Sequence, residues 1–185
     1  MAVTILDPVT ALIVIDLQKG IAAIPSVHPI GDVVANAAAL AAGFRRRNLP
    51  VVLVNVGGMA PGRNEQSMAG FQFPDGWMDL LPELDVQPGD HLVTKRTWGA
   101  FTGTGLERWL KDRGVTQVVV VGVATSAGVE STARQAHELG FHVMLATDAM
   151  TDRSIEAQDN SVTRIFPRLG ETGTTAAILD LLPAN

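Results

Sequence analysis

Unbroken apolar runs, not alternating ones, dominate this sequence. Ala11 to Ile15 is apolar at every position and is closed by Asp16, Val118 to Val121 is a run of valines, and Pro50 to Val56 and His142 to Ala146 are similar. Such runs suit strands covered on both faces, as in a parallel sheet between helices. His91 to Lys95 predicts a shorter strand. Between the runs, helical composition predicts helices over Ile30 to Arg47, Leu106 to Arg113, Ser131 to Leu139 and Ile155 to Phe166. Gly114 and Gly140 follow two of these, as expected of glycine just past a helix end. Gln18-Lys-Gly20 reads as a polar turn, the stretch holding Pro25 and Pro29 as a loop, and Thr174 to Leu182 as a short strand or a helix. The alternation predicts one domain over residues 1–185, an α/β doubly wound parallel sheet with right-handed crossovers.

One stretch breaks the rhythm. Gly57 to Pro82 carries Gly58, Pro61, Gly62, Gly70, Pro74 and Gly76, and is long for a loop within a compact domain. Its apolar side chains (Met59, Met68, Phe71, Phe73 and Trp77) suit either a pocket or subunit lining, or simple burial in the core.

Open α/β sheets bind ligands beyond the carboxyl ends of their strands. Asp16, Lys95 and the turn from Gly122 to Gly128 all fall there, so they can meet although far apart in sequence. In that turn a valine strand passes through small residues into a helix start, which suits a polar ligand. An Asp beside a Lys in a partly dry cleft is either a proton-transfer pair or a structural ion pair, and position alone leaves both open.

Composition narrows the chemistry. The 185 residues are 46% hydrophobic and 18% charged, as in a folded globular protein. A net charge of −5 argues against a nucleic-acid partner. Arg45-Arg46-Arg47 is the one basic cluster, and it complements the end of a predicted helix. The chain has no cysteine, which excludes disulfides, thiolate metal sites and thiol nucleophiles. The opening residues lack a secretory pattern and no apolar run approaches the ~20 residues of a membrane span, so a cytoplasmic protein with no membrane partner is expected.

The motifs resemble those of the isochorismatase-like hydrolases. They are Asp16 after an apolar strand, Lys95 before Arg96-Thr-Trp-Gly-Ala-Phe101, Gly122-Val-Ala-Thr125, Val129-Glu-Ser-Thr-Ala-Arg134 and Thr147-Asp-Ala149. The likeness runs over nearly the whole chain. It implies a three-layer α/β/α fold, a site at the carboxyl edge of the sheet and a cis peptide around Val123-Ala124. It also implies a small-molecule substrate and a homodimer or homotetramer. The family's catalytic Asp and Lys fall on Asp16 and Lys95, and its nucleophilic cysteine on Gly128.

Glycine at 128 resembles the branch that cleaves a vinyl ether without a covalent intermediate. There Asp16 acts as the acid, Lys95 binds the substrate carboxylate or positions it against Asp16, and Gly128 makes room for the substrate. Gln18, Asn55, Trp98, Val123, Ala124 and Thr125 are the expected substrate-binding residues, with Arg96 and Arg63 as further cations for a carboxylate. The glutamine expected after the second strand is absent, and Asn55 is the nearest amide. No cofactor and no metal are expected, since no histidine lies between His28 and His91, and His137 and His142 read as a helix-surface and a strand residue. Gln158 stands where many relatives have a histidine. Two other readings stay open: a silent member that binds a ligand or serves as a scaffold, and an amidase whose cysteine was replaced by Gly128.

Overall fold

The computed structural model describes residues 3–65 and 72–183. Met68 and Phe71, expected in the irregular stretch, lie outside these residues. Six parallel strands form one sheet in the order β3-β2-β1-β4-β5-β6: β1 is Thr10–Ile15, β2 Val51–Val56, β3 His91–Lys95, β4 Gln117–Val123, β5 His142–Thr151 and β6 Glu171–Gly173. The central strands are buried along their length, which is why their sequences run apolar instead of alternating.

Alternate residues of those strands feed two separate cores. Ile13, Ile15, Val52, Val54, Val118 and Val120 face α3 (Leu106–Lys111) and α4 (Glu130–Glu138), through Leu106, Leu110, Ala133 and Ala136. Leu12, Val14, Leu53, Val119 and Val121 face α2 (Ile30–Arg46) and the last helix (Thr175–Asp180), through Val33, Ala37, Leu40, Phe44 and Ile178. A helical layer on each side of a parallel sheet is the three-layer α/β/α fold.

Several expectations need correction. Gln18-Lys-Gly20 opens a one-turn helix, α1 (Lys19–Ala22). The fifth strand does not stop at Ala146 but continues to Thr151, so Asp148 lies inside it; its Oδ1 accepts from the Thr175 amide at 2.7 Å and fixes the start of the last helix. The predicted helix over Ile155 to Phe166 is α5 (Ile155–Asn160), a π-helical turn (Ser161–Ile165) and α6 (Phe166–Leu169). Residues 175–180 resolve the open choice as a helix, α7, preceded by the short strand β6, which the sequence pattern did not signal.

Gly122 is the point where the sheet prepares the site. Its φ is 118°, and a Cβ there would sit 2.0 Å from the Ile15 carbonyl oxygen, so only glycine lets β4 lie this close to β1. The β4–β5 register shifts between Val120 and Gly122, and the chain then turns through a cis peptide at Val123-Ala124 over the end of β1.

Candidate active site

Asp16 follows the last residue of β1 and Lys95 ends β3, two strands away at the same edge. Lys95 Nζ lies 2.7 Å from Asp16 Oδ2, with side-chain exposures of 2% and 7%. The ammonium also donates to the Thr97 carbonyl at 3.2 Å. Asp16 has a positive φ of 52°, an uncommon backbone state for a residue other than glycine and one often found at functional sites. Burial pushes its carboxyl up from an ordinary 3.8 to about 6; the Lys95 charge and hydrogen bond oppose the rise without cancelling it. Desolvation wins because almost no water reaches either group. Asp16 Oδ1 is buried and has no hydrogen-bond partner.

The third part of the site is a π-helical turn, Thr125–Val129, between β4 and α4. Gly128 lies on its buried side, where a Cβ would be 3.4 Å from Asp16 Oδ2, 3.3 Å from the Val123 carbonyl oxygen and 2.9 Å from Ile15 Cγ2. Gly128 is therefore next to the Asp16 carboxyl. It does not hollow out a space, however, because Ile15 and the Val123 carbonyl already close on the position a side chain would need.

The remaining expected residues divide. Val123 and Ala124 form the cis peptide beside Gly128, and Thr125 is fully buried with its hydroxyl unpartnered. Gln18 is buried too, but its amide is committed to backbone: Oε1 accepts from the Val56 amide at 2.7 Å, and Nε2 donates to the carbonyls of Val56 and Trp77 at 3.2 and 3.3 Å. Asn55 is likewise engaged, donating to the Met78 carbonyl at 2.9 Å and accepting from the Thr94 hydroxyl at 2.7 Å. These two amides pin the segment after β2 onto the sheet. Trp98 is not drawn into a crevice; it is 68% exposed. Phe101 belongs to the core, and Phe73 and Trp77 pack on each other with ring centroids 4.5 Å apart.

Three residues that brace the turn carry little sequence signal of their role. Thr132 accepts from the Ala100 amide at 3.1 Å and donates to the Gly128 carbonyl at 2.7 Å, tying the segment after β3 to the turn. Asp152 Oδ2 accepts from the Ser126 amide at 2.7 Å. Glu130 Oε2 accepts from the Ser161 hydroxyl at 2.6 Å. Asp152 stands at a strand end, the same cue that singled out Asp16, but it is hidden because Thr147 and Asp148 break the apolar run after Ala146.

Among the described residues, no group of three or more His, Cys, Asp or Glu side chains is arranged to hold a metal ion, and no helix is long and apolar enough to cross a membrane. A cleft of about 630 Å³ lies at the opposite edge, beside the starts of β1 and β2, between Arg45, Asn48, Trp109 and Arg113. Its charges are already engaged: Arg45 pairs with Asp90 at 2.7 Å, and Arg113 lies 3.9 Å over the Trp109 ring. The chemistry gathers at the carboxyl edge instead, where this class of sheet binds its ligands.

The sequence profile of the Isochorismatase domain matches residues 10–177. The isochorismatase family protein YwoC of Bacillus subtilis is 43% identical over 178 residues, covering 92% of this chain and 93% of its own. Nicotinamidase 3 of Arabidopsis thaliana is 32% identical over 148 residues, 76% of this chain and 72% of its own. Among solved structures, an isochorismatase family protein from Burkholderia thailandensis superposes with a TM-score of 0.92 at 42% identity, covering 96% of this chain and 97% of its own. N-carbamoylsarcosine amidase from Thermoplasma acidophilum superposes with a TM-score of 0.77 at 25% identity, covering 90% and 96%. With the profile spanning both Asp16 and Lys95, and the fold shared from end to end, the chain belongs to the isochorismatase family of hydrolases.

Proposed function

We propose that this hydrolase works without a covalent intermediate, with Asp16 as a general acid on a small carboxylated vinyl ether. The observation that carries the reading is the buried carboxyl of Asp16, pushed up to about 6, with one oxygen held by Lys95 and the other unpartnered. A general acid works best with a pKa near the working pH, and a carboxyl raised this far is roughly a tenth protonated at pH 7.

The proton on Oδ1 passes to the vinyl carbon, forming a C–H bond and leaving an oxocarbenium ion at the ether-bearing carbon. Water adds to that carbon and returns a proton to the Asp16 carboxylate. The resulting hemiketal breaks its C–O bond to give a carbonyl compound and an alcohol. Lys95 holds Oδ2 so that Oδ1 is the oxygen presented, and its ammonium stabilises the carboxylate while the cation exists. Its donors are largely committed to Asp16 Oδ2 and the Thr97 carbonyl, which leaves it little to offer a substrate carboxylate. Arg96, exposed immediately after β3, is the better candidate for that contact.

Purified protein is tested against small vinyl ethers with and without a carboxylate, beside simple amides, and Asp16→Asn is run in parallel. Turnover of the carboxylated vinyl ether that disappears in the variant supports the reading. Turnover that survives Asp16→Asn overturns it.

Similarity to proteins named nicotinamidase and ureidoacrylate amidohydrolase favours a second reading, in which an amide is the substrate. The crowding at Gly128 counts against an amidase that merely lost its thiol, because a Cβ there meets Ile15 Cγ2 at 2.9 Å and a cysteine would require Ile15 to shift. Amidase activity in Gly128→Cys favours the second reading.

A further inference from the structure

Among the described residues, three buried side-chain polar atoms have no hydrogen-bond partner: Asp16 Oδ1, Thr125 Oγ1 and Gln158 Oε1. Burying such a group unpaired costs about 1–3 kcal/mol, so each needs a reason. Their placement supplies one. Asp16 follows β1, Thr125 follows β4 and Gln158 lies in α5, the first helix after β5. Strands β1, β4 and β5 are consecutive in the sheet, so all three atoms belong to segments along one stretch of its carboxyl edge.

The helix α5 packs against the π turn that holds Thr125. Two contacts set how they align: Asp152, just before α5, binds the Ser126 amide, and Ser161, just after it, binds Glu130. Gln158 falls between these anchors and, like Ser161, is on the buried face of its helix, while Ile155, Glu156, Asp159 and Asn160 are exposed. Its side chain is therefore on the inward face of α5, the helix that packs against the turn. Gln158 is 4% exposed and Thr125 is 0% exposed.

We propose that Thr125 and Gln158 form an uncharged polar subsite that holds a neutral hydrogen-bonding group of the substrate, a hydroxyl or carboxamide, while the substrate's other end reaches Asp16. This rests on the reading of Asp16 as the reacting group. Neighbouring strands are about 4.8 Å apart, and β1 and β4, which Asp16 and Thr125 follow, are neighbours, so the two ends of a small substituted ring can reach both residues. A hydroxyl and an amide offer donors and acceptors but no charge, and the buried cation of the site, Lys95, is directed at Asp16 Oδ2 and the Thr97 carbonyl. A carboxylate placed in this subsite would lose its hydration without gaining a counter-ion, so a neutral group is preferred.

The test uses Thr125→Val and Gln158→Leu, which keep shape and remove the polar atoms, with benzamide and benzoate as probes followed by calorimetric titration. Benzamide is expected to bind the unmodified protein and to bind each variant at least tenfold more weakly, with benzoate binding weaker than benzamide throughout. The variants are expected to melt at the same temperature as the parent or higher, since an unpartnered polar atom has been replaced by an apolar one. Unchanged benzamide affinity, no benzamide binding, or benzoate binding as tightly as benzamide overturns the proposal. A lower melting temperature with unchanged affinity does the same, and assigns the atoms to a structural buried water. Asp16→Asn separates the two readings: benzamide binding that depends on Gln158 stands even if no vinyl ether is ever turned over.

Discussion

Lys95 Nζ holds one oxygen of the Asp16 carboxylate at 2.7 Å, while the other oxygen, just as thoroughly removed from water, is bound by nothing. The two oxygens of one carboxyl thus have different roles, and the Lys95 ammonium sets which is which. Burial outweighs the ammonium, and the carboxyl titrates near 6.

With Asp16 as the proposed acid, activity should fall as pH rises. The proton donor must be protonated, so kcat/KM should be level below about 6 and decline toward tenfold per pH unit above it. A pH–rate profile from 5 to 8 checks this, and a profile flat across that range would falsify the acid role. Stability has the same sign. The folded-state value lies above the ordinary 3.8, so between about 4 and 6 the folded protein holds a proton that the unfolded chain has released. The contribution of Asp16 is fully present below about 4 and is lost as pH rises through about 6. Glu156, whose carboxyl the Ser154 hydroxyl holds below its ordinary value, acts in the opposite direction, so the measurement is the difference between the unmodified protein and Asp16→Asn in urea unfolding at several pH values.

Lys95→Met should move the descending limb of that profile to higher pH. Removing the ammonium leaves burial unopposed, and the Asp16 carboxyl then rises above 6. The maximal rate should fall, on the order of 10²-fold, because Oδ2 is no longer held and the carboxylate formed on proton transfer has lost its counter-ion. A limb that moves down, or does not move, removes Lys95 from this role.

Gly128→Ala and Gly128→Cys should each destabilise the protein by about 1–3 kcal/mol, the usual cost of forcing atoms into a packed site. The source is the 2.9 Å approach of the new Cβ to Ile15 Cγ2, with the Val123 carbonyl behind it. Chemical denaturation reads the loss directly; variants as stable as the parent would mean that the turn yields without cost.

Gly122→Ala is expected to be far worse, beyond about 4 kcal/mol, since the clash at 2.0 Å is with backbone and the φ of 118° is foreign to other residues. A melting temperature within a few degrees of the parent would contradict the close approach of β4 to β1.

Gln18→Leu separates bracing from binding. It leaves the Val56 amide without its partner, at about 1–3 kcal/mol, and removes one of two donors to the Trp77 carbonyl, the Gly20 amide being the other. A loss of stability is expected, together with a raised KM as the segment after β2 loosens. A raised KM at unchanged stability would return Gln18 to the role of a direct substrate contact.

The order of strands and helices was legible in the sequence because a strand covered on both faces must be apolar throughout, and Ala11 to Ile15 and Val118 to Val121 cannot be read otherwise. Asp16 and Lys95 were legible for a related reason: a charge that closes an apolar strand sits at the carboxyl edge whatever the rest of the chain does. The absence of any thiol chemistry was settled by composition alone. Other features depend on neighbours distant in sequence. The full length of β5 was hidden by Thr147 and Asp148, which read as a strand end until Thr175 arrives to bind Asp148. Gln18 and Asn55 have the composition of ligand contacts, but Val56, Thr94 and the segment after β2, folded back over them, take up their hydrogen bonds. Trp98 has the size of a pocket wall but remains in solvent. Gly128 could be read as an open space until Ile15 and Val123 were seen to close around it. Residue type determines what a side chain is able to bind; which of its atoms remain unbound is decided by packing, because desolvation and pairing belong to the whole neighbourhood and not to the residue.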